Sequence, residues 1–378
     1  MEETKNMRAL AATREQIIVK TSAVGIVTNL LLAAFKAVVG LLSNSIAIIL
    51  DAVNNLSDAL SSVITIIGAK LAGKRPDKKH PLGHGRIEYL SAMLVAALVL
   101  YAGITALIES VKKIIHPEAA RYSLLTLLIL VVAIIVKLVL GKYVKTKGEQ
   151  VKSGALIASG SDASFDAVLS ASVLASALLY LGCGISLEAY VGAGIACVII
   201  KAGVGMLKET LNDILGQRPE AELVKQVKEI IQKEPLVHGV YDLLINNYGP
   251  NKNYASLHVE LDDTLTVAQV DELTRKIETD VFHQTGIILT GVGVYAYNTC
   301  NEEIARLRNT IQEIVLSHDW ALQMHGFYAD AAKKNLQFDV VLSFDVAQKE
   351  ALKTLTQEVQ AKFPDYTVQI TPDVDLAD

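Results

Sequence analysis

Acidic and amide side chains recur inside two long apolar segments of the sequence. One segment contains Asn54 and Asp58, and another contains Asp162 and Asp166. An ionisable group at the centre of a bilayer costs roughly 2.5–3.5 kcal/mol, so such a group usually marks a substrate pathway or a binding site. Each pair is spaced i,i+4, so its two side chains project from one face of a helix. The spacing therefore predicts two polar helix faces inside a membrane.

Placed opposite each other, these two faces would surround one point with an amide oxygen and three carboxylates. Clustered carboxylates repel one another unless protons or a cation neutralise them, and a divalent metal ion does so. The alternative is that these groups cap helices or form hydrogen bonds across a helix bundle. That alternative fits Asn54 alone better than it fits three aspartates in a paired array. We therefore expect Asn54, Asp58, Asp162 and Asp166 to be ligands of a metal ion that crosses the membrane.

A further aspartate, Asp51, lies close to one helical turn before Asn54. Lys36 lies near the expected outer end of the first apolar segment, where its ammonium group could neutralise Asp51. We expect these two residues to form a structural ion pair rather than to bind metal.

Six apolar segments position these residues, and each is long enough to span a bilayer as a helix of about 20 residues. Basic residues are frequent before the first segment and in the 2–3 and 4–5 connections, and they are absent from the 1–2 and 5–6 turns. By the positive-inside rule, both termini are cytoplasmic. The expected helices lie at about residues 17–41, 44–71, 88–113, 123–144, 155–181 and 186–207.

The charge differs between the two parts of the chain. Residues 1–210 contain 21 Lys and Arg against 14 Asp and Glu, a net charge of +7, whereas residues 211–378 contain 14 against 26, a net charge of −12. An acidic soluble part suits the attraction of cations and does not suit nucleic-acid binding. The three cysteines form no CxxC pair, so we expect neither disulfides nor a thiolate metal site, and no cofactor is indicated.

The soluble part repeats one order of elements, helix–strand–strand–helix–strand, after Pro219. His238 and Tyr248 fall in step with His318 and Tyr328 in this repeat. The predicted fold class is an α-helical membrane protein with six transmembrane helices, followed by cytoplasmic α+β domains. The predicted domains are a membrane domain at 1–213, a first α+β domain at 214–299 and a second at 300–378.

Four motifs follow one another along the chain. They are Ser43-Asn44-Ser45-Ile46-Ala47, Asn54-x-x-x-Asp58, His80-Pro81-Leu82-Gly83-His84-Gly85-Arg86-Ile87-Glu88 and Asp162-x-x-x-Asp166. In this order they resemble those of the cation diffusion facilitator family, over about residues 15–298. The resemblance implies a homodimeric metal/proton antiporter in the cell membrane, with lipid, metal ions and protons as its partners. It implies a ferredoxin-like fold for the cytoplasmic part, transport rather than enzymatic activity, and export of metal from the cytoplasm.

The chain departs from the zinc-moving members of that family at the proposed metal ligands. Those members usually carry His on the second or fifth helix, where this chain has Asn54 and Asp162. An all-oxygen site suits Mn²⁺, Mg²⁺ or Ca²⁺, whereas imidazole favours Zn²⁺ and the later transition metals. The combination resembles the bacterial manganese-exporting branch, so we expect Mn²⁺ as the transported ion. Fe²⁺ and Zn²⁺ remain alternatives.

Two smaller groups match further family positions. Asp77, His80 and His84 lie in the connection between the second and third segments, where some members bind a second metal ion. Two His and a carboxylate are plausible ligands of Zn²⁺ or Mn²⁺, and the alternative is a solvated loop. Arg86 and Asp213 match a charge pair that joins the membrane and cytoplasmic domains in the family, although two unrelated charges are an equal alternative.

Two other classes of function compete with transport. Two membrane aspartates also form the dyad of an intramembrane aspartyl protease. The residue before Asp162 is Ser161 rather than the Gly of that motif, and no Tyr-Asp dipeptide lies in a predicted membrane helix. A metal sensor built on the acidic C-terminal domains is the other alternative.

Overall fold

The computed structural model describes residues 2–42, 46–116, 124–183, 188–250 and 252–374 of the chain. Within these ranges it does not describe the side chains of residues 2–12, 40, 42, 46–51, 53, 57, 124–126, 177, 180–183 and 188. The chain divides into two units. The first is Met1–Gln217 with Tyr248–Asn251, and the second is Arg218–Asn247 with Lys252–Asp378.

In its described part, the first unit consists of six long helices. They are α1 (Glu2–Leu42), α2 (Ile46–Ala72), α3 (Ile87–Ile115), α4 (Leu124–Gln150), α5 (Gly154–Cys183) and α6 (Glu188–Leu215). Four stretches of the described residues are long and apolar enough to cross a membrane, namely Thr13–Val39, Ile87–Ile115, Leu127–Gln150 and Ala189–Leu215. The other two helices, α2 and α5, have 27 and 30 residues and contain the polar pairs.

Several helices continue beyond the apolar segments that predict them. α1 begins at Glu2 rather than near residue 17, and α4 continues to Gln150 rather than ending near residue 144. Hydropathy marks only the apolar part of a helix. The added segments are rich in Glu, Lys, Arg, Gln and Ala, which favour helix without contributing to the apolar signal.

The surface of the first unit has the distribution expected for contact with lipid. Leu31 and Val139 are 67% and 66% exposed, whereas Asn55 and Thr65 on α2 are each 1% exposed. In a bilayer, aliphatic side chains face the hydrocarbon and polar side chains satisfy one another between helices. Buried polar residues such as Asn55 therefore lie between the helices, together with apolar residues such as Val99 and Leu156.

A close contact holds α4 against α5 beside the predicted metal ligands. A side chain at Gly141 of α4 would lie 2.9 Å from the backbone oxygen of Gly160 and 2.9 Å from the backbone nitrogen of Ser164, both on α5. Glycine lets the two backbones approach where any larger residue would separate them. Lys137 lies one turn before Gly141 on α4, so it projects from the same region of that helix.

The second unit begins with a small α+β domain. Its elements are α7 (Ala221–Gln232), β1 (Val237–Asn247), β2 (Asn253–Asp262), α8 (Val267–Thr285) and β3 (Ile288–Tyr297). β1 pairs antiparallel with β2, and β2 pairs parallel with β3. Val227, Ile231 and Ile277 bury one face of each helix against the sheet. A capping box of Thr266 and Gln269 begins α8.

The same order then recurs in a second copy. Its elements are α9 (Glu302–Leu316), β4 (Ala321–Asp330), β5 (Asn335–Leu342), α10 (Gln348–Lys362) and β6 (Thr367–Val374). β4 is antiparallel and β6 parallel to the central strand β5. Ile311, Phe338 and Leu355 form the core of this copy. The predicted repeat of α+β units is confirmed in the element order.

The residue alignment between the two copies differs from the one that the sequence suggests. In the first copy Tyr241 pairs with His258, and in the second copy His325 pairs with Asp339, each just before the same irregularity in the strand pair. Tyr241 is therefore equivalent to His325, which is an offset of 84 residues rather than the 80 that relates His238 to His318. The prediction of that alignment was wrong because α9, with 15 residues, is three residues longer than α7, with 12, which shifts β4 relative to β1.

Candidate metal transport site

The predicted ligands Asp58 of α2 and Asp166 of α5 meet around a lysine of α4. The Nζ atom of Lys137 donates a hydrogen bond to Oδ2 of Asp58 and a second, of 2.8 Å, to Oδ2 of Asp166. The side chains of Lys137, Asp58 and Asp166 are 5%, 13% and 21% exposed. One buried cationic group therefore bridges carboxylates from two helices.

Asp162 belongs to the same electrostatic group. It lies one turn before Asp166 on α5, and its carboxylate interacts electrostatically with Asp166, Asp58 and Lys137. Three carboxylates that share one ammonium group keep an excess of negative charge, which a divalent cation can neutralise.

Asn54 lies one turn before Asp58 on α2, and its side chain is exposed. Its neighbour Asn55 is 1% exposed. The role of Asn54 as a ligand stays a prediction, as do the ligand roles of the three aspartates.

Sequence reasoning assigned no role to Lys137, which is the central residue of this group. The available signal was a single charged residue within the apolar run Leu127–Leu140, because an intramembrane charge marks a functional position as strongly for Lys as for Asp. Its partners could not be read from spacing, since α2 and α5 are distant from α4 in sequence.

Lys36 is also buried in the first unit. It is 4% exposed and interacts electrostatically with Asp58. The side chain of Asp51 lies outside the described residues, so the ion pair between Lys36 and Asp51 stays a prediction. Lys36 adds a second positive charge to the surroundings of the acidic group.

The loop residues Asp77, His80 and His84 converge as their spacing suggests. One potential ligand atom of each lies within 4.8 Å of the others. Nδ1 of His80 is 3.3 Å from Oδ1 of Asp77, and Nε2 of His84 is 3.4 Å from Oδ2 of Asp77. Hydrogen bonds from the backbone N–H groups of His80 and Lys79 lower the pKa of Asp77 and favour its ionised form. The three side chains present the donor set of a mixed nitrogen–oxygen metal site.

Comparison with known proteins identifies the family. Residues 22–215 match the model of the cation efflux transmembrane domain, and residues 219–290 match the cation efflux protein cytoplasmic domain. The chain belongs to the cation efflux family.

Three relatives illustrate the range of this family. An uncharacterized transporter of Methanocaldococcus jannaschii is 30% identical over 66% of this chain and 87% of its own length. The manganese efflux system protein MneP of Bacillus subtilis is 25% identical over 73% of this chain and 94% of its own length. A cadmium, cobalt and zinc/H(+)-K(+) antiporter of Bacillus subtilis is 26% identical over 66% of this chain and 80% of its own length.

Membership of the cation efflux family decides between the classes of function that the sequence left open. The chain is a multi-pass membrane transporter of divalent metal cations, and it is not an enzyme. The interpretation as an intramembrane protease is therefore excluded. The predicted resemblance to the cation diffusion facilitator family and the predicted fold class are confirmed.

The charge pair expected between Arg86 and Asp213 stays a prediction. The guanidinium carbon of Arg86 lies 4.5 Å from the centre of the Tyr248 ring, within the first unit. Asp213 accepts a hydrogen bond of 2.8 Å from Nε2 of Gln217, at the end of α6. These contacts give each residue a structural role at the edge of the membrane unit.

Proposed function

We propose that this cation efflux protein exports Mn²⁺ from the cytoplasm in exchange for protons, by alternating access through Asn54, Asp58, Asp162 and Asp166. The observation that carries the proposal is the convergence of the Asp58 and Asp166 carboxylates on one buried cationic group. A position that holds the Lys137 ammonium group between two carboxylates is electrostatically suited to a metal cation. The manganese efflux relative supports Mn²⁺ as the cargo.

The choice of Mn²⁺ rests on the chemistry of the ligands. Three carboxylates and the carbonyl oxygen of Asn54 form a hard, all-oxygen ligand set, which water or backbone oxygen can complete to six ligands. Mn²⁺ accepts such a set. Zn²⁺ favours four ligands that include nitrogen or sulfur, so an all-oxygen site removes its geometric advantage. Fe²⁺ export by the same mechanism is the main alternative, followed by Zn²⁺ export.

Lys137 has a specific part in this mechanism. In the metal-free site its ammonium group holds Asp58 and Asp166 together and prevents an unpaired negative charge inside the membrane. Entry of Mn²⁺ requires the ammonium group to leave at least one carboxylate oxygen. The Lys137 ammonium group thus competes with Mn²⁺ for the two carboxylates. This competition favours release of Mn²⁺ after the site opens to the other side of the membrane.

Protons as the exchanged ion are supported by the antiporter relative, whose name includes H(+). The positive-inside pattern supports cytoplasmic termini and insertion in the cell membrane. The matched cytoplasmic family domain supports a homodimer.

We propose, in addition, that Asp77, His80 and His84 bind metal at an accessory site, because their ligand atoms lie within 4.8 Å of one another.

The identity of the cargo is tested by flux in sealed proteoliposomes with an imposed pH gradient. Mn²⁺, Fe²⁺, Zn²⁺, Co²⁺ and Cd²⁺ are compared in the parent protein, in Asn54→His and in Asn54→Gln. The parent should favour Mn²⁺, and Asn54→His should raise Zn²⁺ flux relative to Mn²⁺. Asn54→Gln keeps the amide oxygen and is the matched control. An unchanged Zn²⁺/Mn²⁺ ratio in Asn54→His would show that this ligand does not set selectivity.

A further inference from the structure

The two α+β copies of the second unit place equivalent positions at one common cluster. From the strand pairing, Tyr241 is equivalent to His325 and His258 is equivalent to Asp339. The residue after each member of the first pair has a positive φ, +54° for Asp242 and +60° for Gly326. A non-glycine residue in this region is uncommon and often occurs at functional sites.

The third strand of each copy extends this relation. His258 pairs with Gly293, two residues before Tyr295, and Asp339 pairs with Thr371, two residues before Asp373. Tyr295 and Asp373 are therefore equivalent in the two copies. The copies thus contribute to the cluster from matching strands, although the side chains differ.

Three side chains of this cluster could share one metal ion. One potential ligand atom from each of Asp242, His325 and Asp373 lies within 4.8 Å of the others. Nε2 of His325 is 2.7 Å from Oδ1 of Asp242 and 3.8 Å from Oδ2 of Asp373. Two ligand atoms that each lie about 2.0–2.2 Å from the same metal ion are separated from each other by distances of this size. The group combines one nitrogen with two carboxylate donors.

His325 is the decisive member because it is buried without satisfied ring nitrogens. Its side chain is 1% exposed, and among the described residues neither Nδ1 nor Nε2 has a partner in hydrogen-bond geometry. Nε2 and Oδ1 of Asp242 approach to 2.7 Å, but the contact lacks the alignment of a hydrogen bond, and Oδ1 of Asp242 is unsatisfied too. A buried polar group without a partner costs about 1–3 kcal/mol, so such groups call for an explanation.

Surrounding residues hold Asp242 in place through its other oxygen. The hydroxyl of Tyr295 donates a hydrogen bond of 2.7 Å to Oδ2 of Asp242 and lies 3.2 Å from Oδ2 of Asp339. Nδ1 of His258 lies 2.7 Å from the same Oδ2 of Asp242. These contacts leave Oδ1 directed to His325 and Asp373. Partners of this kind orient the ligands of a metal site and are part of its design.

The charges of the cluster also favour a cation. The carboxylates of Asp242 and Asp373 both lie beside Nε2 of His325, at 2.7 Å and 3.8 Å, so two acidic groups are brought together at one point. A divalent cation bound between them would neutralise both carboxylates and take a ring nitrogen of His325 as its third ligand.

We propose that Asp242, His325 and Asp373 form a divalent transition-metal site between the two α+β copies of the second unit. The mixed nitrogen–oxygen ligand set suits Mn²⁺, Fe²⁺, Co²⁺ or Zn²⁺ better than Mg²⁺ or Ca²⁺. Two of its three ligands lie after residue 290, where the match to the cytoplasmic family domain ends. The site therefore depends on the second copy, and a bound ion links the two copies through their ligands.

The experiment counts bound Co²⁺ on the full-length protein in detergent, using its visible absorption and equilibrium dialysis. The background variant carries Asp58→Asn and Asp166→Asn, so that the transport site contributes no ion and failure of the transport proposal cannot alter the count. Two site variants, His325→Gln and Asp373→Asn, are added to this background. The matched control is His318→Gln, because His318 has its own partner, Oε2 of Glu358 at 2.8 Å.

Both site variants should bind one Co²⁺ fewer than the background variant. His325→Gln should also lose the part of the visible Co²⁺ absorption that a nitrogen ligand produces. The control should keep the full count. The side chain of Asp373 is 29% exposed, so Asp373→Asn tests the site with little risk to folding. Size-exclusion elution checks the fold of each variant. Full stoichiometry in either site variant, or an equal loss in His318→Gln, would overturn the assignment.

Discussion

Replacing Lys137 by Met tests whether its ammonium group competes with the transported ion. Methionine keeps an unbranched side chain of comparable length and removes the charge. Asp58 and Asp166 then lose the group that bridges them. In the absence of metal, two carboxylates are left in a buried position without their partner, so the variant should be less stable than the parent. Mn²⁺ should restore that stability, because it replaces the missing positive charge.

The magnitude follows from the two contacts. A hydrogen bond to a charged group contributes about 1.5–3 kcal/mol net, so the two contacts of Lys137 together contribute about 3–6 kcal/mol. If Mn²⁺ displaces both contacts in the parent, its binding to the variant should be more favourable by at least the lower value. A gain of about 3 kcal/mol corresponds to roughly hundredfold tighter binding of Mn²⁺. Release becomes slower for the same reason, so the maximal rate of transport should fall.

Two measurements check this expectation. Isothermal titration of purified protein gives the affinity for Mn²⁺, and flux in proteoliposomes gives the rate at saturating Mn²⁺. Lys142→Met is the matched control, because Lys142 lies on the same helix but is exposed. Lys142→Met should leave both quantities close to those of the parent.

Equal Mn²⁺ affinity in Lys137→Met and the parent would refute the reasoning. Weaker binding would contradict it as well, since it would mean that the lysine organises the carboxylates for the metal rather than competing with it.

Three further predictions concern the membrane unit. Asp162→Ala should abolish Mn²⁺ flux without unfolding the protein, since it removes a charged ligand. Size-exclusion elution checks that the variant is folded, and retained Mn²⁺ flux in the folded variant would contradict the prediction. Gly141→Val should separate α4 from α5 at Gly160, at a cost of about 1–3 kcal/mol, and lower both melting temperature and flux. Gly194→Val is its control, because a side chain there meets no atom within 4 Å. His84→Ala should change the apparent KM for Mn²⁺ by less than about 100-fold and leave the maximal rate unchanged. Complete loss of flux would instead show that the loop is essential for transport.

Much of the fold is predictable because its signals are local. Apolar segments of sufficient length predict the membrane helices, and alternation of apolar residues predicts the strands of the soluble part. The helix ends were less accurate, as α1 and α4 show, because polar helix formers extend a helix without any hydropathic signal. The alignment of the two α+β copies also failed, since strand register depends on pairing between distant segments.

The polar group around Lys137 in the membrane unit was predictable in part for the same reason. The pairs Asn54/Asp58 and Asp162/Asp166 carry their information in an i,i+4 spacing that is visible within one helix. Lys137 belongs to the site only through the packing of α4 against the other two helices. Its contacts with Asp58 and Asp166 are a feature of tertiary structure rather than of local sequence.

The cluster of the second unit was the least predictable part of the molecule. Its ligands Asp242, His325 and Asp373 come from three strands in two copies, and 130 residues separate the first from the last. No spacing within one element joins them. The positive φ of Asp242 and the burial of His325 identify the cluster, and both are properties of the folded chain.

Mn²⁺ flux in sealed proteoliposomes, with and without an imposed pH gradient, tests the central claim most directly. The parent protein should move Mn²⁺ against its gradient only when a proton gradient is present, and Asp166→Ala should show no flux above protein-free vesicles. Glu109→Ala, which removes an exposed acidic residue of α3, should behave as the parent does. Near-parental Mn²⁺ flux in Asp166→Ala would contradict the account, because the ion would then cross the membrane without this carboxylate.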